Sequence, residues 1–201
     1  IMDNEITSRP SENLLEKLRS VAVQTNSETS EQLGINSSAS ITCVKPSGTV
    51  SQLVDSASGI HARHSDYYIR TVRGDNKDPL SKFLADAGVP AEACVMKPDS
   101  TTVFSFPVKA PNGAVTRNDM SAIEQLELWK TYALNWCEHK PSVTITVRDE
   151  EWLKVGSWVY DNFDICSGVS FLPHSDHTYA QAPYQDCDEA TYLEALAAMP
   201  E

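Results

Sequence analysis

The sequence has few basic residues, and it lacks any segment able to cross a membrane. Sixteen lysines and arginines stand against 28 aspartates and glutamates, which gives a formal net charge of −12. Nonspecific binding of DNA or RNA requires basic side chains that neutralise phosphates, so we expect no nucleic-acid partner. No apolar run approaches the roughly 20 residues needed to span a bilayer, and no charged-then-apolar leader precedes the first helical pattern. We therefore expect no membrane partner.

The sequence also lacks the cysteine pattern of a disulfide-bonded or metal-binding protein. Its five cysteines are odd in number and widely spaced, and none forms a Cys-x-x-Cys pair. They are Cys43, Cys94, Cys137, Cys166 and Cys187. We interpret them as buried structural thiols of a cytoplasmic protein.

Helical and strand-like patterns alternate along the chain. Apolar spacing predicts helices over residues 11–34, 50–54, 78–88, 119–139, 149–163 and 188–199. Short runs rich in β-branched residues predict strands at 41–44, 103–108, 143–147 and 167–173. Strands separated by helices favour an α/β fold with parallel strands. The length and the 41% hydrophobic content favour a single domain over residues 1–201.

The most informative stretch connects a predicted strand to a predicted helix through small residues. The first amides of a helix lack partners within the helix and favour anions, and glycine lets a ligand approach the backbone closely. We therefore predict a phosphate-binding loop, with Lys45 as a nearby positive charge. Its residues are Ser47, Gly48, Thr49, Val50 and Ser51. The stretch lacks the eight-residue pattern of a Walker loop, so an ordinary capped helix remains the alternative.

A second stretch concentrates basic and aromatic residues. Residues 61–73 include two histidines, three arginines and two tyrosines. We take His61, Arg63 and His64 as candidates that line a nucleotide or cofactor pocket, with a solvated loop before an edge strand as the alternative. The spacings His61-x-x-His64 and His174-x-x-His177 also leave open a metal-binding structural domain. Neither pair lies on a predicted helix, so we assign no metal ligands.

Five motifs in order along the chain resemble the adenosylcobalamin-dependent, class II ribonucleoside-triphosphate reductases. They cover the chain from about residue 11 almost to its end. The motifs are Thr42-Cys43-Val44-Lys45-Pro46-Ser47-Gly48-Thr49, Ser58-Gly59-Ile60-His61 with Ser65-Asp66-Tyr67-Tyr68-Ile69-Arg70, Phe106-Pro107-Val108-Lys109-Ala110-Pro111, Ser121-Ala122-Ile123-Glu124-Gln125-Leu126-Glu127, and Val169-Ser170-Phe171-Leu172-Pro173.

The resemblance implies a ten-stranded α/β barrel, of which this chain would supply late strands and outer helices. In that family, adenosylcobalamin starts a thiyl radical on a finger-loop cysteine, and the radical removes the ribose 3′ hydrogen. Loss of the 2′ hydroxyl follows, with electrons from two further cysteines. The substrate would be a ribonucleoside triphosphate or diphosphate, and the resemblance favours the triphosphate.

Of the family's functional residues, only the phosphate loop carries over, onto residues 47–51. The radical cysteine precedes Ile1 in the family's order, and the tail cysteines would follow Glu201. We therefore expect a carboxy-terminal fragment that has no catalytic residue of its own. It would be inactive and free of cobalamin without the missing amino-terminal part of the same enzyme. A non-catalytic module that binds nucleotide phosphates remains the alternative.

Overall fold

The computed structural model describes residues 1–47, 50–174 and 179–200, without the side chain of Gln52. The chain divides into two compact units. The first unit comprises Ile1–Arg63 and Asn112–His174, and the second unit comprises His64–Pro111 and Ser175–Glu201. The single domain expected from the sequence stays a prediction, because compactness does not decide whether each unit folds independently.

Helices and strands alternate over most of the described chain. In chain order the elements are α1 Glu5–Ser8, α2 Glu12–Leu33, α3 Val50–Leu53, β1 Tyr67–Asp75, α4 Pro79–Asp86, β2 Ala91–Ala93, β3 Thr101–Lys109, α5 Ala122–Asn135, β4 Val143–Val147, a 3-10 turn Asp149–Glu151, α6 Trp152–Asp161, β5 Val169–Pro173, β6 Tyr184–Asp186 and α7 Glu189–Ala197. The predicted helices are confirmed. Within the described ranges, no helix is both long and apolar enough to cross a membrane.

The helices begin and end where the sequence offers caps. Ser11 accepts a hydrogen bond from the amide of Leu14 at the start of α2, and Gly34 ends that helix with φ of 66°. At the start of α5, Ser121 and Glu124 form a capping box. These local signals are the reason that the helix boundaries follow the sequence closely.

The core of the first unit is built on the parallel pair β4–β5. The two strands run in register from Val143 opposite Val169 to Val147 opposite Pro173. Helix α5 contributes the fully buried side chains of Leu126 and Trp129 to the same hydrophobic cluster as Ile145 of β4. The β-branched run of β4 thus forms the buried strand that the sequence predicts, and its parallel pairing is confirmed.

The sheet of the second unit corrects the expectation that all strands are parallel. Its order is β2-β3-β1-β6, and every neighbouring pair is antiparallel. The amide of Asn76 donates to the carbonyl of Ser100 at 2.9 Å, which brings the end of β1 to the start of β3. Helix α4 and β2 are therefore inserted within the loop of a long hairpin, and they do not form a crossover between parallel strands.

Residues 41–44 do not form the predicted strand. Their backbone is held by the segment that follows α5. A carboxylate oxygen of Glu138 accepts from the amides of Ile41 and Thr42, and the amide of Glu138 donates to the carbonyl of Thr42 at 2.9 Å. Trp136 Nε1 donates to the carbonyl of Cys43 at 3.0 Å. Side chains thus satisfy polar groups that a neighbouring strand would otherwise bind.

Candidate functional site

The predicted phosphate loop lies between residues 41–46 and α3 in the first unit. Gly48 and Thr49 lie outside the described residues. The hydroxyl of Ser47 accepts from the amide of Ser51 at 2.8 Å, and the hydroxyl of Ser51 donates to the carbonyl of Ser47 at 3.2 Å. The amide of Ser51 is therefore already satisfied within the protein.

A serine eleven residues further along binds the start of the same loop. The hydroxyl of Ser58 accepts from the amide of Ser47 at 2.7 Å and donates to the carbonyl of Ser47 at 3.0 Å. The amides of Ser47 and Ser51 are thus both used inside the protein, in contrast to the unpaired amides expected from the sequence. Val50, the next described residue of the predicted loop, is exposed. The phosphate-binding role of residues 47–51 stays a prediction.

His61 connects the Ser58 segment to strand β4. Its Nδ1 lies 2.9 Å from the carbonyl oxygen of Ser58, and its Nε2 lies 3.1 Å from the amide nitrogen of Thr144. An amide only donates, so Nε2 is the acceptor and Nδ1 carries the proton that is donated to Ser58. Both ring nitrogens of the neutral imidazole are therefore engaged. His61 thus uses both ring nitrogens within the protein, and its role in lining a pocket stays a prediction.

Arg63 is buried in an ion-pair network. Its Nε donates to Asp3 Oδ1 at 2.8 Å, and its Nη1 donates to Asp55 Oδ1 at 2.9 Å. Burial raises the pKa of Asp3, but the hydrogen bond and charge of Arg63 and the amide of Ala57 outweigh it, so that the pKa lies below its usual value. Arg63 thus ties the amino-terminal segment to residues 55–63, and its role in lining a pocket stays a prediction.

The remaining candidates, Lys45 and His64, have different surroundings. Lys45 is exposed in the first unit. His64 belongs to the second unit, where its Nε2 lies 3.0 Å from Asp186 Oδ1 and its ring stacks on Tyr184 at 5.2 Å between centroids. The guanidinium of Arg70 lies 4.1 Å from the centre of the Tyr184 ring. The basic and aromatic residues of the second unit therefore form a packed cluster of their own.

The cysteines differ in their surroundings more than the sequence indicates. Cys43 is exposed, which corrects the expectation that all five thiols are buried. Burial raises the pKa of Cys137, Cys166 and Cys187. Burial also acts on Cys94, but the amides of Met96 and Lys97 and the guanidinium of Arg73 stabilise its thiolate and lower its pKa. No sequence motif marks this environment, because Arg73 lies on β1 and Cys94 follows β2, far along the chain.

The metal-binding alternative gains no support from the described histidines. His61 has both nitrogens engaged, and His177 lies outside the described residues. Within residues 1–47, 50–174 and 179–200, no three His, Cys, Asp or Glu side chains are grouped so that they could hold a metal ion.

No family model matches the chain. Curated relatives nevertheless align with most of it. The adenosylcobalamin-dependent ribonucleoside-triphosphate reductase of Euglena gracilis is 34% identical over 190 residues, which cover 93% of this chain and 26% of the relative. The enzyme of the same description from Lactobacillus delbrueckii subsp. bulgaricus is 33% identical over 184 residues, or 89% of this chain and 25% of the relative. A probable reductase of this type from Dictyostelium discoideum is 33% identical and matches 84% of this chain and 23% of its own length.

A solved structure supports the same relationship. The crystal structure of a B-12 dependent, class II ribonucleotide reductase superimposes with a TM-score of 0.82 and is 29% identical in sequence. The match covers 94% of this chain and 27% of that chain. The resemblance predicted from the five motifs is confirmed, and so is the mixed α/β fold as part of that structure. The chain spans about a quarter of the length of the curated relatives that it matches.

Proposed function

We propose that this chain, which corresponds to about a quarter of a class II ribonucleotide reductase, supplies the loop that binds the substrate phosphates. The whole enzyme would convert a ribonucleoside triphosphate to the deoxyribonucleotide with adenosylcobalamin as cofactor. One observation carries the proposal: the described part of the motif, residues 42–47, precedes α3 within a fold similar to such an enzyme. A diphosphate substrate would fit the same loop.

The contacts around Ser47 support an anion seat in the loop of residues 47–51. Ser47 and Ser51 hydrogen-bond to each other, and Ser58 binds both polar backbone atoms of Ser47. Backbone amides bind phosphate best when the surrounding structure already holds them in place, because little ordering is then lost on binding. Exposed Lys45 would add a positive charge nearby.

The radical chemistry would belong to the remaining three quarters of the enzyme. None of the five cysteines here matches a redox position of the family that the five motifs resemble. We therefore assign no catalytic residue and no cofactor contact to this chain. Its own contribution would be to bind and orient the substrate.

Substitution of Gly48 in the full-length reductase tests the phosphate loop. Gly48→Val would place a branched side chain where the phosphate must meet the backbone, so we expect KM for the nucleotide to rise by about tenfold or more. The kcat should change little, because the lost contact is one that substrate and transition state share.

Gly156→Val is the matched control for this experiment. Gly156 lies on the exposed side of α6, and an added β-carbon there has no atom within 4 Å. We expect KM to stay at the wild-type value in this variant. A KM that is equally unchanged in the folded Gly48→Val enzyme would refute the proposed function.

A further inference from the structure

We infer that Ser58 and His61 are positioning residues, which hold the proposed phosphate seat at a fixed place relative to strand β4. The inference rests on the proposed function, since it concerns the same loop. It goes further by giving a role to two residues that do not touch the substrate.

The first link runs from Ser58 to Ser47. One hydroxyl group accepts from the amide of Ser47 at 2.7 Å and donates to its carbonyl at 3.0 Å. Two hydrogen bonds from a single oxygen to both polar backbone atoms of one residue restrict the rotation of its peptide groups. Ser47 opens the loop of residues 47–51 that we propose binds phosphate, so these two hydrogen bonds fix the point at which the chain enters the loop.

The second link depends on the close approach of two backbone segments. Gly59 has φ of 58°, and a β-carbon on it would lie 3.3 Å from Val44 Cγ1 and 3.5 Å from the Cα of Pro46. A residue with a side chain would be strained here and would push the segments apart. Gly59 therefore lets Ser58 lie near enough to Ser47 to make both hydrogen bonds.

The third link runs from Ser58 through His61 to β4. His61 Nδ1 donates to the carbonyl of Ser58, and Nε2 accepts from the amide of Thr144. The amide of Val143 donates to the carbonyl of Gly168, which directly precedes β5, so the amide of the next residue, Thr144, faces away from β5. That amide needs a different acceptor, and His61 supplies it. Because Ile145 and Val147 of the same strand are fully buried, β4 is a rigid point of attachment.

Together these hydrogen bonds form one continuous series from the core to α3. They connect Thr144 to His61, His61 to Ser58, Ser58 to Ser47 and Ser47 to Ser51. A shift of about 1 Å in a binding group can weaken its action by as much as about a hundredfold. Loss of any link should therefore weaken phosphate binding, although the altered residue does not itself contact the phosphate.

Steady-state kinetics of Ser58 variants in the full-length reductase test the first link. We expect Ser58→Ala to raise KM for the nucleoside triphosphate by about fivefold or more with kcat within about twofold, because phosphate binding is shared by ground state and transition state. Ser58→Thr keeps the hydroxyl and should restore most of the affinity. Ser56→Ala is the matched control, since Ser56 lies in the same segment and contacts Ser51 through its backbone amide. Should Ser58→Ala fail to fold, Ser58→Cys, which hydrogen-bonds weakly, replaces it.

Variants of His61 test the third link. His61→Phe keeps a ring but removes both hydrogen bonds, so we expect a rise in KM similar to that of Ser58→Ala. His61→Gln retains an acceptor for the amide of Thr144 and should have a smaller effect. Exposed His139→Phe serves as the control. Because Ser58 and His61 act in series, the double variant should raise KM little more than the stronger single variant.

The outcomes separate this inference from the proposed function. If Gly48→Val raises KM but folded Ser58 and His61 variants do not, the positioning role is wrong and the phosphate loop stands. If KM is unchanged in Gly48→Val and in the variants of Ser58 and His61, the proposed function fails as well. Independent, multiplicative effects of Ser58→Ala and His61→Phe would also overturn the linked arrangement, since they would show two unrelated sites.

Discussion

In the first unit, single side chains bind backbone amides of strand β4. In the second unit, neighbouring strands bind the backbone amides of strand β1. Gln125 accepts from the amide of Thr146 and donates to its carbonyl, and His61 accepts from the amide of Thr144. The outer edge of β4 is thus covered by side chains. In the second unit, β1 pairs along its nine residues with β3 and is also flanked by β6.

This difference matters because side chains and strand pairs respond differently to substitution. A ladder hydrogen bond joins two backbones, so it survives most changes of residue. A hydrogen bond from a side chain disappears with that side chain and leaves a buried amide unsatisfied, which costs about 1–3 kcal/mol. We therefore expect the first unit to be the more sensitive to point substitutions.

The largest effect should come from Trp129 in the core of the first unit. Its side chain is 0% exposed, and its Nε1 donates to the carbonyl of Pro141 at 2.9 Å. Trp129→Ala would leave a cavity and an unsatisfied carbonyl, so we expect a loss of about 3–5 kcal/mol in the free energy of unfolding. Urea denaturation measures this loss. Trp152→Ala is the matched control, because Trp152 is 38% exposed, and equal losses would contradict the importance of burial.

An intermediate effect is expected from the buried ion-pair network. Arg63→Met would leave Asp3 and Asp55 without their cation, and we expect a loss of about 2–3 kcal/mol at neutral pH. This value lies below that of fully buried pairs because the Asp55 side chain is 65% exposed. Urea denaturation over a range of pH measures it.

The same variant should show a defined dependence on pH. Asp3 has a lowered pKa, so its ion pair stabilises the fold fully above the pKa of an unfolded aspartate, about 3.9. The stabilisation is lost as the pH falls through the lower folded-state pKa. The difference between the wild type and Arg63→Met should therefore shrink below about pH 4. A difference that stays constant into that range would argue against the role of Asp3.

The smallest effect is expected in the second unit. Val72 lies on β1 opposite Phe104 and is 45% exposed. Val72→Thr keeps the branched shape and the whole backbone ladder, so we expect a change within about 0.5 kcal/mol in the free energy of unfolding. Urea denaturation again gives the value. A loss as large as that of Arg63→Met would remove the contrast between the two units.

Helix positions could be predicted from the sequence because their signals are local. Ser11 and Gly34 mark the ends of α2, and Ser121 with Glu124 marks the start of α5. Strands depend on partners far along the chain. The sheet of the second unit places β1 beside β3 and β6, and no local pattern in residues 64–75 indicates either neighbour or the antiparallel direction.

The same distinction applies to the candidate site. Small residues before α3 predicted a cap, and the hydroxyl of Ser47 does accept from the amide of Ser51 in the first turn of α3. The sequence did not predict that Ser58 would occupy the amide of Ser47, nor that Arg63 would pair with Asp3 sixty residues earlier. Both contacts result from the tertiary fold. Charge and ring type alone therefore do not reveal which side chains already have partners within the protein.

Because side chains cover the outer edge of β4, the parallel pair β4–β5 has one open edge. The opposite edge belongs to β5, where the amides of Val169 and Phe171 point away from β4. In the described part of the chain, β4 is the one strand that pairs with β5. Further strands could therefore be added to this sheet at the edge of β5 only. An excised chain would present that single edge to other copies, and self-association through it would begin at β5.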